Sequence, residues 1–175
     1  MRSFSFMRPG MHSVMRCLAF AFSKGGGTLI VCAAVDDHMG MSFHDRRQSQ
    51  DRLLRQRLLE LSAGSRFWVN HNTAKQFQDT AAGHLIVGDD FLEKAGEDDF
   101  CFVEDLPLET YQNRIKKIFL FHWNRAYPAD TYFDIPLTAD KWKLVSVLEF
   151  AGNSHKKITM EEWDHEENVG RTDQI

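Results

Sequence analysis

Two apolar runs constrain this chain more than any other feature. Leu29-Ile30-Val31-Cys32-Ala33-Ala34-Val35 is continuous, and Ile118 to Trp123 is nearly so. Runs of this length and composition read as strands covered on both faces. The first leads into Asp36-Asp37-His38-Met39-Gly40-Met41. The second leads, through a loop containing Pro128, into Ala129-Asp130-Thr131-Tyr132-Phe133. Strand-like and helix-like segments alternate between them. That order predicts an α/β sandwich with a mainly parallel sheet.

The intervening segments can be placed one by one. Asp36 to Arg47 reads as a loop, with Gly40 as its flexible point. Ser49 is the expected cap of the next helix, in which Leu54, Leu58 and Leu61 form one apolar stripe. Ala63-Gly64-Ser65 stops that helix. Phe67 to Val69, Leu85 to Val87 and Phe100 to Val103 read as short strands. Thr73 to Phe77, Phe91 to Ala95 and Leu108 to Ile115 read as helices. Trp142 to Phe150 is a late strand. Lys157 to Trp163 is either the last antiparallel strand or a short helix capped by Thr159.

A chain of 175 residues is most simply one domain. Residues 29–163 are the expected domain, and 164–175 a polar, frayed tail. Residues 1–28 carry Arg2, Arg8, Arg16 and Lys24 and no acid. They read as a non-domain extension, either translated upstream sequence or a targeting segment. A net charge of −4 argues against nucleic acid as a partner. No apolar run approaches a membrane span. Cys17, Cys32 and Cys101 lack metal-ligand spacing; Cys32 and Cys101 read as buried free thiols, which suits the cytoplasm.

From Leu29 to about Trp163 the order and spacing of these segments resemble dihydrofolate reductase. The resemblance implies that family's three-layer fold, with an antiparallel C-terminal edge to the sheet. Leu29 to Met41 is similar to the first strand and active-site loop. Asp51 falls within one residue of the family's catalytic carboxylate, which binds a pterin ring and helps protonate it. By that analogy Asp51 sits in an apolar pocket that raises its pKa. Val35, Met41, Phe43, Leu54 and Phe121 would then line the substrate cleft. Gly40, His71, Thr73, Glu104 and Asp105 would fall at the cofactor.

The departures from the family pattern are specific. Adjacent glycines, which let a pyrophosphate approach the backbone, are replaced by Glu104-Asp105. Two carboxylates there add bulk and repel a phosphate. The Gly-Arg pair that meets the cofactor 2′-phosphate appears as Asn70-His71 or His71-Asn72. Phe121 stands in place of a supporting threonine. Ordinary NADPH binding is therefore disfavoured, and no other cofactor or metal is expected. The chain reads as a divergent member that binds a small molecule or protein partner through the old substrate cleft. The alternative is a pterin- or folate-type reductase with a remodelled NADPH site. The chain is also similar to short proteins of anaerobic Firmicutes that often carry a ribonuclease Z label. That activity needs a His-x-His-x-Asp-His cluster, and none of the eight histidines forms such a pair.

Overall fold

The structure is a computed structural model that describes residues 27–169. The expectations for residues 1–26 and 170–175 lie outside the described residues. Strand β1 (Leu29–Val35) is buried along its whole length. It pairs in parallel with β6 (Phe100–Val103) on one side and β7 (Ile115–His122) on the other. Beyond β6 lie β4 (Phe67–Val69) and β5 (Leu85–Val87), also parallel. Beyond β7 the sheet turns antiparallel through β10 (Ile158–His165) and β9 (Trp142–Phe150). The seven strands run in the order β5-β4-β6-β1-β7-β10-β9.

Residues alternate along each buried strand, so the sheet divides two cores. Ile30, Cys32, Ala34, Phe119 and Phe121 face one side. There they meet Leu54 and Leu58 of α1 (Arg52–Leu61). Leu29, Val31, Ala33, Val35, Ile118 and Leu120 face the other. That side is closed by Phe91 and Leu92 of α3 (Phe91–Lys94), by Leu108, and by Phe133 and Ile135. Cys32 and Cys101 are buried free thiols on opposite sides, and burial pushes both thiols up in pKa.

Four local expectations are corrected, and one left open is decided. Residues 36–47 are not an open loop but a hairpin, β2 (Gly40–Phe43) with β3 (Arg46–Arg47). The left-handed turn residues are His44 and Asp45, at φ 46° and 57°. A third short strand, β8 (Thr131–Tyr132), completes this small sheet. Gly40 is buried in β2 rather than a flexible point. A Cβ there would lie 2.4 Å from Ala129 Cβ, so close packing is what requires glycine. Asp51, not Ser49, caps α1, because its carboxylate reaches the free N–H groups of Leu53 and Leu54. The segment after Leu108 is a 3₁₀ helix, Glu109–Arg114, rather than an α-helix. Of the two alternatives at 157–163 the structure takes the strand, β10 (Ile158–His165), which leads into α4 (Glu166–Val169).

Candidate functional site

β1 and β6 are neighbours, yet their connections leave toward opposite faces. β1 leads to α1 on one side, and β6 leads to Leu108 on the other. Such a divergence opens a crevice at the carboxyl ends of the strands. The residues there are Asp36 after β1 and Glu104-Asp105 after β6.

Asp36 is only 1% exposed, and it is fully occupied. Its Oδ1 accepts from the N–H groups of His38 (2.8 Å) and Gly40 (2.7 Å). Its Oδ2 accepts from the Tyr127 N–H at 3.0 Å. Burial pushes its pKa up, but these backbone donors outweigh it and hold the carboxylate below its ordinary value. Asp36 therefore ties the front of the chain to the segment that follows β7.

Glu104 is buried, with ordered donors on both oxygens. The Thr73 hydroxyl, in α2 (His71–Ala74), donates to Oε2 at 2.8 Å. The Arg47 Nε stands 3.3 Å from Oε1 and 3.4 Å from Oε2. Arg47 also donates through Nη2 to the Asn72 carbonyl at 2.8 Å, fixing the guanidinium between β3 and α2. Burial raises the Glu104 pKa, and the Arg47 charge and the Thr73 hydroxyl pull it back in part. Asp105 accepts from Asn70 Nδ2 (2.8 Å) and Asn72 Nδ2 (3.3 Å). Asn70 in turn caps α2 by accepting from the Thr73 N–H. His71 lies outside this cluster, exposed and paired with Asp89 at 2.9 Å. So Thr73, Glu104 and Asp105 do come together, while Gly40 and His71 do not join them.

A second cluster forms around Asp51. Its Oδ1 accepts from Leu53 and Leu54 at the head of α1. Its Oδ2 accepts from the Ser154 N–H (2.7 Å) and the Ser154 hydroxyl (2.8 Å). Ser154 Oγ is 2.9 Å from His155 Nδ1, and His155 Nε2 is 2.8 Å from the Tyr127 hydroxyl. The His155 ring stacks on buried Trp123, with centroids 4.5 Å apart. One consistent assignment runs Tyr127 O–H to Nε2, Nδ1–H to Ser154, and Ser154 O–H to Asp51, with a neutral imidazole. A hydrogen-bonded chain thus leads from a buried carboxylate to a half-exposed phenol. The expected rise in the Asp51 pKa is corrected. Burial does push it up, but the Ser154 donors and the N–H groups at the helix start outweigh that and hold it at about 2.

The residues expected to line a cleft with Asp51 are divided. Val35 and Met41 pack on one side of the sheet, Leu54 and Phe121 on the other, and none is more than 2% exposed. The reason is strand geometry, since consecutive side chains leave opposite faces. Phe43 is exposed and stacks on His44. Sequence reasoning missed Arg47, Tyr127, Ser154 and His155. Gly152-Asn153-Ser154 between two strands is a turn signal, but nothing in it announces Asp51 as its target. Among the described residues no group of three or more His, Cys, Asp or Glu is placed to hold a metal, and no helix is long and apolar enough to cross a membrane.

The strand order and these connections match a known architecture. The fold is dihydrofolate-reductase-like. A solved dihydrofolate reductase from Enterococcus faecalis, complexed with NADP(H) and RAB-propyl, superposes with a TM-score of 0.58 at 10% identity, over 80% of this chain and 97% of that one. At that identity the likeness carries the fold alone. No family model matches the sequence, and no curated protein does.

Proposed function

We propose that this is a divergent dihydrofolate-reductase-like protein without standard NADPH-dependent reductase activity, which binds a small molecule or protein partner at the rim of the old substrate cleft. One observation carries the reading. The Glu104 carboxylate, buried between Arg47 and Thr73, stands at the turn where the family resemblance puts the cofactor pyrophosphate. The cationic and hydroxyl donors suited to a phosphate already have an anionic partner from the same chain. Beside them a groove of about 210 Å³ is lined by Asp89, Asp90 and Glu93 together with Leu92 and Tyr111. Those carboxylates favour a neutral or cationic guest over a dinucleotide. The residues present do not fit NADPH. Beside Asp51, Tyr127 is half-buried and Ser154 exposed, and Phe43 and Tyr132 are exposed on the small sheet.

Calorimetric titration tests this directly. The unmodified chain gives no saturable NADPH binding up to about 1 mM, a free energy of about −4 kcal/mol or weaker. The Glu104→Gly, Asp105→Gly double variant gains affinity, because Arg47 and Thr73 are released. Tight NADPH binding by the unmodified chain would overturn the reading. It would instead favour a reductase with a remodelled cofactor site, in which the chain from Asp51 through Ser154 and His155 to Tyr127 conducts the proton. Under that alternative Tyr127→Phe abolishes turnover in a folded protein.

A further inference from the structure

Helix α1 begins with a charge pattern that its own chain leaves uncompensated. Its first four residues are Arg52-Leu53-Leu54-Arg55, with no acid among them. Positive side chains are unfavourable at a helix start, where the free N–H groups already present partial positive charge. Three residues apart, the two guanidiniums also stand side by side on one face and repel. Among the described residues Arg47, Arg57 and Arg66 each meet a carboxylate of the chain, whereas Arg52 and Arg55 form no ion pair. Asp51, the acid next to them, is buried and committed to Leu53, Leu54 and Ser154. Both arginines line a cavity of about 410 Å³ between α1 and the segment after α2. Leu59 lines it from the helix, and Gln76, Asp79 and Thr80 from the other segment. It shares no lining residue with the acidic groove at Asp89 and Glu93.

We propose that this cavity binds the phosphomonoester group of a small hydroxylated molecule. The inference rests on the small-molecule form of the reading above and names the class of guest. A phosphomonoester carries about two negative charges at pH 7 and three acceptor oxygens. That charge matches two adjacent guanidiniums at a helix start, and the paired N–H donors of arginine suit phosphate oxygens. A single carboxylate would leave one arginine uncompensated. Asp79 narrows the class further. It forms no ion pair with either arginine. Its carboxylate is therefore an acceptor for hydroxyl groups of the guest and repels a second anion. A monophosphate thus fits better than a diphosphate or a dicarboxylate. Leu59 and the arginine stems supply apolar cover for the body of the guest.

Calorimetric titration of the 175-residue chain with glycerol 3-phosphate, ribose 5-phosphate and glucose 6-phosphate tests the proposal. At least one of the three binds saturably below about 1 mM, while free ribose and glucose do not. Glutarate, a dicarboxylate, binds at least about tenfold more weakly than the best phosphomonoester. Arg52→Gln and Arg55→Gln each weaken that phosphomonoester about tenfold, and the double variant abolishes its binding. Neither substitution lowers the melting temperature of the free chain, because each removes a repulsive charge at a helix start. Lost binding is thereby separated from lost folding. Failure of all three phosphomonoesters to bind up to about 5 mM overturns the proposal. So does binding that both arginine variants leave unchanged, or glutarate binding as tight as that of the best phosphomonoester. The NADPH titration, read through Glu104 and Asp105, succeeds or fails separately, because neither residue lines this cavity.

Discussion

Asp51 shows how one carboxylate can tie a helix start to a distant loop. A carboxylate at the head of a helix complements the unpaired N–H groups there. In this protein the same carboxylate also anchors Ser154 from the loop between β9 and β10. Its ordinary pKa of 3.8 falls to about 2. A depressed pKa contributes stability that is complete above the unfolded value and is lost as pH falls through the folded one. The window is therefore roughly pH 4 down to 2, and the contribution is about 2 kcal/mol. Asp51→Asn keeps a competent helix cap but loses the charge. Urea unfolding at pH 7 should show a loss of about 2 kcal/mol, and the gap from the parent should narrow as the pH is lowered toward 3. A gap that stays constant with pH would mean that the charge is not what holds Ser154.

At the scale of elements, the strands were legible and the connections were not. β1, β4 and β6 lie where apolar runs predict them, because a strand buried on both faces has to be apolar at every position; β5 and β9 also match their apolar runs, although β9 is exposed from Lys143 to Glu149. The helix at Arg52–Leu61 is legible for a related reason, its single stripe of leucines. The hairpin of β2 and β3 was misread as a loop because its strands are short and its turn uses His44 and Asp45 rather than glycine. The helix-or-strand ambiguity at 157–163 is resolved by pairing on both sides, a long-range fact that local propensity does not contain. Glu104 and Arg47 are 57 residues apart; Glu104 is legible as a carboxylate at the cofactor turn, but nothing local marks Arg47 as its partner. Gly40 gives a test at this scale. Gly40→Ala would press a methyl against Ala129 and Gln48, and overpacking of this kind costs about 1–3 kcal/mol. Thermal unfolding should report a lower melting temperature. No change would return Gly40 to the role of a flexible point.

Over the whole molecule, order runs from the middle of the sheet outward. β1 has neighbours on both sides and cores on both faces, whereas β9 has one neighbour and little cover. Native-state hydrogen exchange should follow this gradient, slowest in β1 and fastest among the long strands in β9. Equal protection of the two strands in dilute solution would mean that cover on the faces counts for less than pairing along the edges.

The buried contact of Glu104 with Arg47 and Thr73 has a consequence for competition. A carboxylate carried by the same chain is a tethered competitor, present beside its donors at an effective concentration set by the fold rather than by the solution. Short tethers alone reach the millimolar range, and a rigid backbone raises that further. A free anion that seeks these donors must displace a rival that never diffuses away. Changes in metabolite level would leave such a contact unmoved, and only a change in the chain itself would open it.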